Sequence, residues 1–169
     1  MSGCCAPENG QTPDSHADRC PRCRARGPRV DAITLRALLS GEGLRRGVPS
    51  EPRFCGTPGC TVVYFDSAVP IVFEEALVTV PVHAKHPEDG SVPVCYCFDH
   101  TPDTIRGEVT RTGRSSASAI IAAEVKAGHC ACEVKNPKGS CCLGDVATVE
   151  RSALPSAGAP LTDRSERGN

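Results

Sequence analysis

Large aromatic side chains are almost missing from this chain: it has no tryptophan, 2 tyrosines and 4 phenylalanines, and its single methionine is Met1. Such residues supply much of the area that an ordinary core buries. A chain of 169 residues is long enough for one domain with a real core or two small ones, yet it has little to pack. Long apolar runs are missing too. No segment approaches the ~18 apolar residues of a membrane span, and residues 1–20 hold no apolar stretch that could serve as a leader core. The expectation is a cytoplasmic protein without membrane insertion. Nor does either sign of charge dominate. With a net charge of -1, no overall field draws the chain to nucleic acid or to anionic lipid. No Ser/His/Asp arrangement or phosphate-cradling glycine loop stands out, so a hydrolase is not expected.

What the chain has instead is sulfur, with 12 cysteines set among 16 glycines and 15 prolines that interrupt regular elements. In a compartment that keeps thiols reduced, clustered cysteines point to metal ligands rather than to disulfides.

Cys20-Pro21-Arg22-Cys23 and Cys55-Gly56-Thr57-Pro58-Gly59-Cys60 each have the spacing that lets two thiolates reach one tetrahedral ion. Together they predict a structural Zn2+ site made by Cys20, Cys23, Cys55 and Cys60, against the plainer reading of two pairs of free thiols. The arginines around the first knuckle (Arg19, Arg22, Arg24, Arg26, Arg29) look like a solvated loop. They lack the interleaved aromatics of a nucleic-acid surface.

Six further thiols fall in two bursts, Cys95-Tyr96-Cys97 and Cys130-Ala131-Cys132 continuing to Cys141-Cys142. A C-x-C spacing suits zinc less well than an iron-sulfur cluster held by four thiolates. In a cluster, C-x-C could supply both ligands of one iron and the later burst those of the other. A second zinc site or ordinary free thiols remain open on the residues alone. Cys4 and Cys5 stand in a polar stretch, 1–18, broken by Pro7 and Pro13, which is expected to be disordered. Two adjacent thiolates there could capture a soft ion such as Cu(I), or be exposed cysteines without a role.

Between the knuckles, residues 31–39 have the spacing of a short amphipathic helix ended by Gly41. Residues 61–65, 69–73 and 77–82 are strand candidates stepped by Pro70 and Pro81. His83, His86 and His100 are expected in exposed loops and not as ligands. Thr101 should cap a helix carrying Pro102 and Asp103 in its first turn and Ile105 and Val109 on its buried face. A second helix should start near Ser116, pack Ile120, Ile121 and Val125, and stop at Gly128.

The Cys95-Tyr96-Cys97-Phe98 turn, the Thr101-Pro102 helix start, Cys130-Ala131-Cys132-Glu133, Asn136-Pro137-Lys138-Gly139 and Cys141-Cys142-Leu143-Gly144 resemble the N-terminal domain of CopZ-type iron-sulfur copper chaperones. The Cys20/Cys23 and Phe54-Cys55 to Cys60 knuckles followed by Tyr64-Phe65 resemble its zinc half. The resemblance covers roughly residues 18–149 and implies one zinc and one [2Fe-2S] cluster. The implied fold is α+β: a zinc-knuckle and β-sheet subdomain over 19–92, then a helical, ferredoxin-like [2Fe-2S]-binding subdomain of the bacterioferritin-associated type over 93–150. Tails are expected at 1–18 and 151–169. Cys95 and Cys97 are the first pair of cluster ligands. For the second we favour Cys132 and Cys142, the latter opening a helix whose backbone N–H groups favour thiolate charge, with Cys130 and Cys141 as alternates.

In the full-length family this domain is fused to a heavy-metal-associated domain carrying M-x-C-x-x-C, a motif that this chain lacks. The implied function is a metallochaperone in heavy-metal resistance, handling copper, with mercury as a further candidate cargo, whose cluster supplies electrons to reduce or load the metal. Its implied partners are soft metal ions, a copper or mercury transport protein and an electron donor. Any enzymatic activity would be metal-ion reduction through the cluster. The alternative is a small electron-transfer or iron-sulfur regulatory protein without metal cargo.

Overall fold

The computed structural model describes residues 18–66 and 68–154. The fold is α+β: a three-stranded antiparallel sheet sits in the first half, and most of the helices follow it.

The first half opens with helix α1 (Ala32–Leu38), capped by the Asp31 carboxylate accepting the Ile33 N–H, and the single turn α2 (Gly41–Arg45), capped by Ser40. Strands β1 (Arg53–Phe54), β2 (Val62–Phe65) and β3 (Val72–Glu74) pair in that order, with β2 in the centre. Strict alternation would send only every second β2 residue to one core. A register shift between Val62 and Tyr64 breaks that alternation. Val63 and Tyr64 both join the core of Leu35, Leu39, Phe54, Phe73 and Leu77, while Val62 and Phe65 pack beside Cys20, Cys55 and Cys60.

The strand expected over 77–82 is absent. Glu75–Leu77 forms a 3-10 turn, and Thr79 then gives both its N–H and its hydroxyl to Leu38 O. The end of α1 takes the hydrogen bonds that a fourth strand would have needed.

The second half is helical. Helix α3 (Pro102–Thr112) begins with the expected Thr101 cap and Pro102, and it buries Ile105 and Val109. Helix α4 (Ala117–Lys126) is followed by Gly128 in the left-handed region. It buries Ala117 and Ile121, but Ile120 and Val125 are 46% and 37% exposed. The expected wide apolar face fails because α4 packs chiefly on α6 (Leu143–Ala153), which a narrow stripe satisfies. A short helix, α5 (Cys132–Lys135), packs against α1 and so joins the halves. Helix α6 runs three residues past the boundary expected at 150.

Candidate metal centres

The first knuckle is built by backbone conformation. Arg24 takes a left-handed φ of 64°, so that Arg24 N–H reaches Cys20 O and Cys20 N–H reaches Ala25 O, at 2.9 and 2.8 Å. This folding aims the amides of Arg22 and Cys23 at the Cys20 sulfur and that of Ala25 at Cys23. The second knuckle is anchored to β2 by Cys55 N–H donating to Val63 O, and the Val62 amide reaches the Cys60 sulfur.

Together the knuckles bring Cys20, Cys23, Cys55 and Cys60 within 4.8 Å of one another, with Cys20 and Cys60 sulfurs 4.0 Å apart and Cys23 and Cys55 sulfurs 3.5 Å apart. A tetrahedral ion with metal–sulfur bonds of ~2.3 Å needs sulfurs ~3.8 Å apart, so this thiol set fits zinc. Burial pushes the Cys20 thiol up to about 12 and raises Cys60. At Cys23 the opposing burial is outweighed by hydrogen bonding with Thr57, Ala25 and neighbouring thiols, which brings it down to about 6. Four sulfurs this close cannot all ionise in a low-dielectric site without a cation among them.

Most of the arginine run around this site is exposed, as a solvated loop would be. Arg22 pairs with Glu74, Arg26 with Asp18 and Arg29 with Glu51, while Arg19 donates to Arg24 O.

The late cysteines converge as well. In the turn 95–100, closed by Asp99 at a φ of 57° and by Val94 and Cys95 N–H groups on His100 O, the two thiols diverge. Cys95 is buried in the same cluster as Cys142, whereas Cys97 lies 3.7 Å from Cys132 and 3.9 Å from Cys130. Cys97, Cys130 and Cys132 lie within 4.8 Å of one another, and Cys95 is outside that group. Cys97 thus has its close sulfur neighbours in the later burst.

The loop between Cys132 and Cys142 turns as its residues predict. Asn136 accepts from Lys138 N–H and donates to Ser140 O, and Cys142 stands at the N-cap of α6. Interaction with the Cys142 thiol, acting against burial, lowers the Cys95 thiol to about 6, and the same interaction raises Cys142. Cys141, the expected alternate, is exposed. Cys4 and Cys5 lie outside the described residues.

The three histidines are partly buried rather than exposed, and none belongs to either thiol group. His86 contacts Glu75 at 3.0 Å. His83 lines a cavity of about 290 Å³ between the two halves, with Phe54, Tyr96, Pro137 and Val149. Its Nδ1 is buried without a hydrogen-bond partner among the described residues.

Two contributors were not anticipated. Lys85 is 3% exposed and donates to Val62 O at 2.6 Å and Thr57 O at 3.3 Å, beside the first thiol group. Tyr64 joins the sheet to the late cysteine loop by donating to Pro137 O. A lone lysine and a strand tyrosine carry no spacing signal.

A family of zinc-binding domains, zf_CopZ, matches residues 17–79, the part of the chain that holds the first thiol group. No curated protein sequence is similar enough to match. The crystal structure of the Archaeoglobus fulgidus CopZ N-terminal domain is 33% identical to this chain and superimposes with a TM-score of 0.61. That similarity covers 81% of this chain and 98% of the Archaeoglobus domain. With the shared architecture spanning both thiol groups, this chain belongs to the CopZ N-terminal domain family.

Proposed function

We propose that the chain is a cytoplasmic metal-handling protein with two thiolate centres, one structural and one redox-active. Cys20, Cys23, Cys55 and Cys60 hold Zn2+, which closes the first half of the fold. Cys95 with Cys142, and Cys97 with Cys132, hold a [2Fe-2S] cluster, one pair to each iron. The observation that supports this reading is the gathering of Cys95, Cys132 and Cys142 in one buried cluster with Cys97 packed against it. A two-iron cluster takes four thiolates, two per iron, and the 3.7 Å separation of Cys97 and Cys132 suits a shared ion.

When bound, such a cluster supplies one-electron transfer. The protein's own residues set its surroundings: Ala131 N–H donates to the Cys97 sulfur, and Val94, Ile105, Ile121 and Val146 keep water from the inner side. Electrons passed one at a time to Cu(II) would give Cu(I), the soft form that thiolates prefer. An electron donor and a copper- or mercury-transporting acceptor belong to the same proposal.

The test is elemental analysis with spectroscopy on anaerobically purified full chain. About one zinc and two irons per chain, a red-brown colour and a two-iron paramagnetic signal after one-electron reduction are expected. Colourless protein with zinc in both thiol groups would overturn the cluster assignment.

A further inference from the structure

The cavity of about 290 Å³ between the two halves is lined by no cysteine. Phe54 and Gly56 reach it from either side of Cys55, and Val94 and Tyr96 from either side of Cys95, so its walls belong to the segments that carry the two thiol groups. Five of its lining residues are rings: Phe54, Pro58, Pro87, Tyr96 and Pro137. A dry apolar cavity of roughly 150 Å³ holds one benzene ring, so this one has room for two fused rings.

The other polar side chains around it are engaged, but His83 is not. The Tyr96 hydroxyl donates to Pro81 O and accepts from His83 N–H, at 2.9 and 3.0 Å. Asn136 bonds Ser140 O and Lys138 N–H, the Thr148 hydroxyl donates to Gly144 O, and Lys138 pairs with Asp145 at 2.7 Å. On the His83 imidazole, Nδ1 is buried without a hydrogen-bond partner among the described residues. Buried polar atoms are seldom left so, because the lost hydration is not repaid. Burial also holds this histidine below its ordinary 6.5, so at neutral pH one ring nitrogen donates and the other accepts.

We propose that this cavity binds a small uncharged aromatic alcohol, about two fused rings in size, with its hydroxyl on the His83 imidazole. No thiol takes part, so the site stands whichever metal each thiol group holds.

The lining selects each part of that ligand. Its only permanent charges, Lys138 and Asp145, neutralise each other, so a charged ligand would lose its hydration without gaining a partner. Ring-bearing walls suit a flat apolar body with a single polar anchor. A hydroxyl both donates and accepts, so it can serve whichever ring nitrogen the tautomer presents. Binding is non-covalent, and no electron or proton is transferred.

The test is equilibrium dialysis of the anaerobically purified full chain against 2-naphthol at neutral pH, with free ligand read by its fluorescence. One saturable site per chain is expected. A second probe, 2-methylnaphthalene, keeps the rings and replaces the hydroxyl with a methyl group. His83→Phe keeps a ring on the wall but removes both nitrogens. It should weaken 2-naphthol at least about fivefold and leave 2-methylnaphthalene within about twofold, the scale of one hydrogen bond. Ala84→Phe places a larger side chain on the cavity wall and should weaken both probes, with metal content and circular dichroism like those of wild type showing that it folds. Absence of saturable 2-naphthol binding to wild type overturns the proposal, as does equal 2-naphthol affinity in wild type and His83→Phe. Undiminished binding of both probes to folded Ala84→Phe would put the ligand elsewhere and overturn it too. Failure of the metal-handling reading shows separately, in the metal content of the same wild-type samples.

Discussion

The Tyr64 hydroxyl donates a 2.9 Å hydrogen bond to Pro137 O, linking the central strand of the zinc half to the loop between Cys132 and Cys142. Thr34 repeats the connection, donating to Glu133 O at 2.6 Å. The second thiol centre is thus framed partly by residues of the first half. Tyr64→Phe leaves the ring in place but strands a buried carbonyl, at a cost of about 1–3 kcal/mol. The expected outcome is a lower denaturation midpoint and faster loss of the cluster's visible absorption to an iron chelator. Wild-type values for both would show that the two halves are not coupled through this contact.

Gly139 permits this close approach. It has a φ of +64°, and a Cβ added there would lie 2.7 Å from Thr34 Oγ1 and 2.9 Å from Val30 Cγ1. Gly139→Ala combines backbone strain with overpacking, and we expect about 2–4 kcal/mol of destabilisation. Equilibrium urea unfolding of the metal-loaded chain measures it directly.

Lys85 presents a buried positive charge that no carboxylate pairs with among the described residues. Four thiolates around Zn2+ carry a net charge of about -2, which gives this ammonium an electrostatic partner. Lys85→Met should shorten zinc retention against a chelator and cost about 3–5 kcal/mol, as when a buried pair is broken. Lys85→Arg should recover part of the retention, because charge rather than shape is restored. Unchanged retention in Lys85→Met would remove Lys85 from the zinc environment.

Zinc removal should act unevenly along the chain. The two knuckles hold β1 and β2 through Cys55 N–H and the packing of Val62 and Phe65 on the thiols, and zinc binding in such sites supplies ~10 kcal/mol or more of folding energy. Chelation, or Cys55→Ser, should abolish amide protection in β2, with the larger share of loss in the first half. Amide exchange that stays protected at Val63 and Tyr64 after zinc is gone would contradict a structural role.

Glu150 joins α6 to the start of α4, accepting from Ser118 N–H at 2.9 Å and from its hydroxyl at 2.5 Å. Burial raises its pKa, but the Ser118 bonds prevail and hold the carboxyl below its ordinary 4.5. A carboxyl depressed in the folded state contributes stability that is complete above its unfolded value and is lost as pH falls through the folded one. Stability of the helical half should decline below about pH 4.5 more steeply in wild type than in Glu150→Gln. Parallel pH curves for the two proteins would refute this contribution.

Much of this protein was legible in its residues because the informative signals were local. The Cys20/Cys23 and Cys55/Cys60 knuckles, the Thr101 cap with Pro102 and the turn through Asn136 and Gly139 depend on neighbours within a few positions, and their spacing carries the chemistry. The strand at β2 was visible from its β-branched and aromatic run. The expected strand over 77–82 failed because its hydrogen-bonding groups went to Leu38, a distant partner that local propensity does not weigh. Ile120 and Val125 failed for the same kind of reason: helical spacing says which residues share a face, not how many neighbours cover it.

By itself, the sequence determined that sulfur would have to do what a large apolar core does elsewhere, and it determined the two places where thiols gather. Only the tertiary structure decided which sulfurs meet. It buried Cys95 and Cys142 in one cluster, brought Cys97, Cys130 and Cys132 together and turned Cys141 to solvent. It also brought Lys85 to the first thiol group and Tyr64 to the second loop. Those pairings depend on how chain segments far apart in sequence pack in space, and adjacent cysteines in the chain carry no record of it.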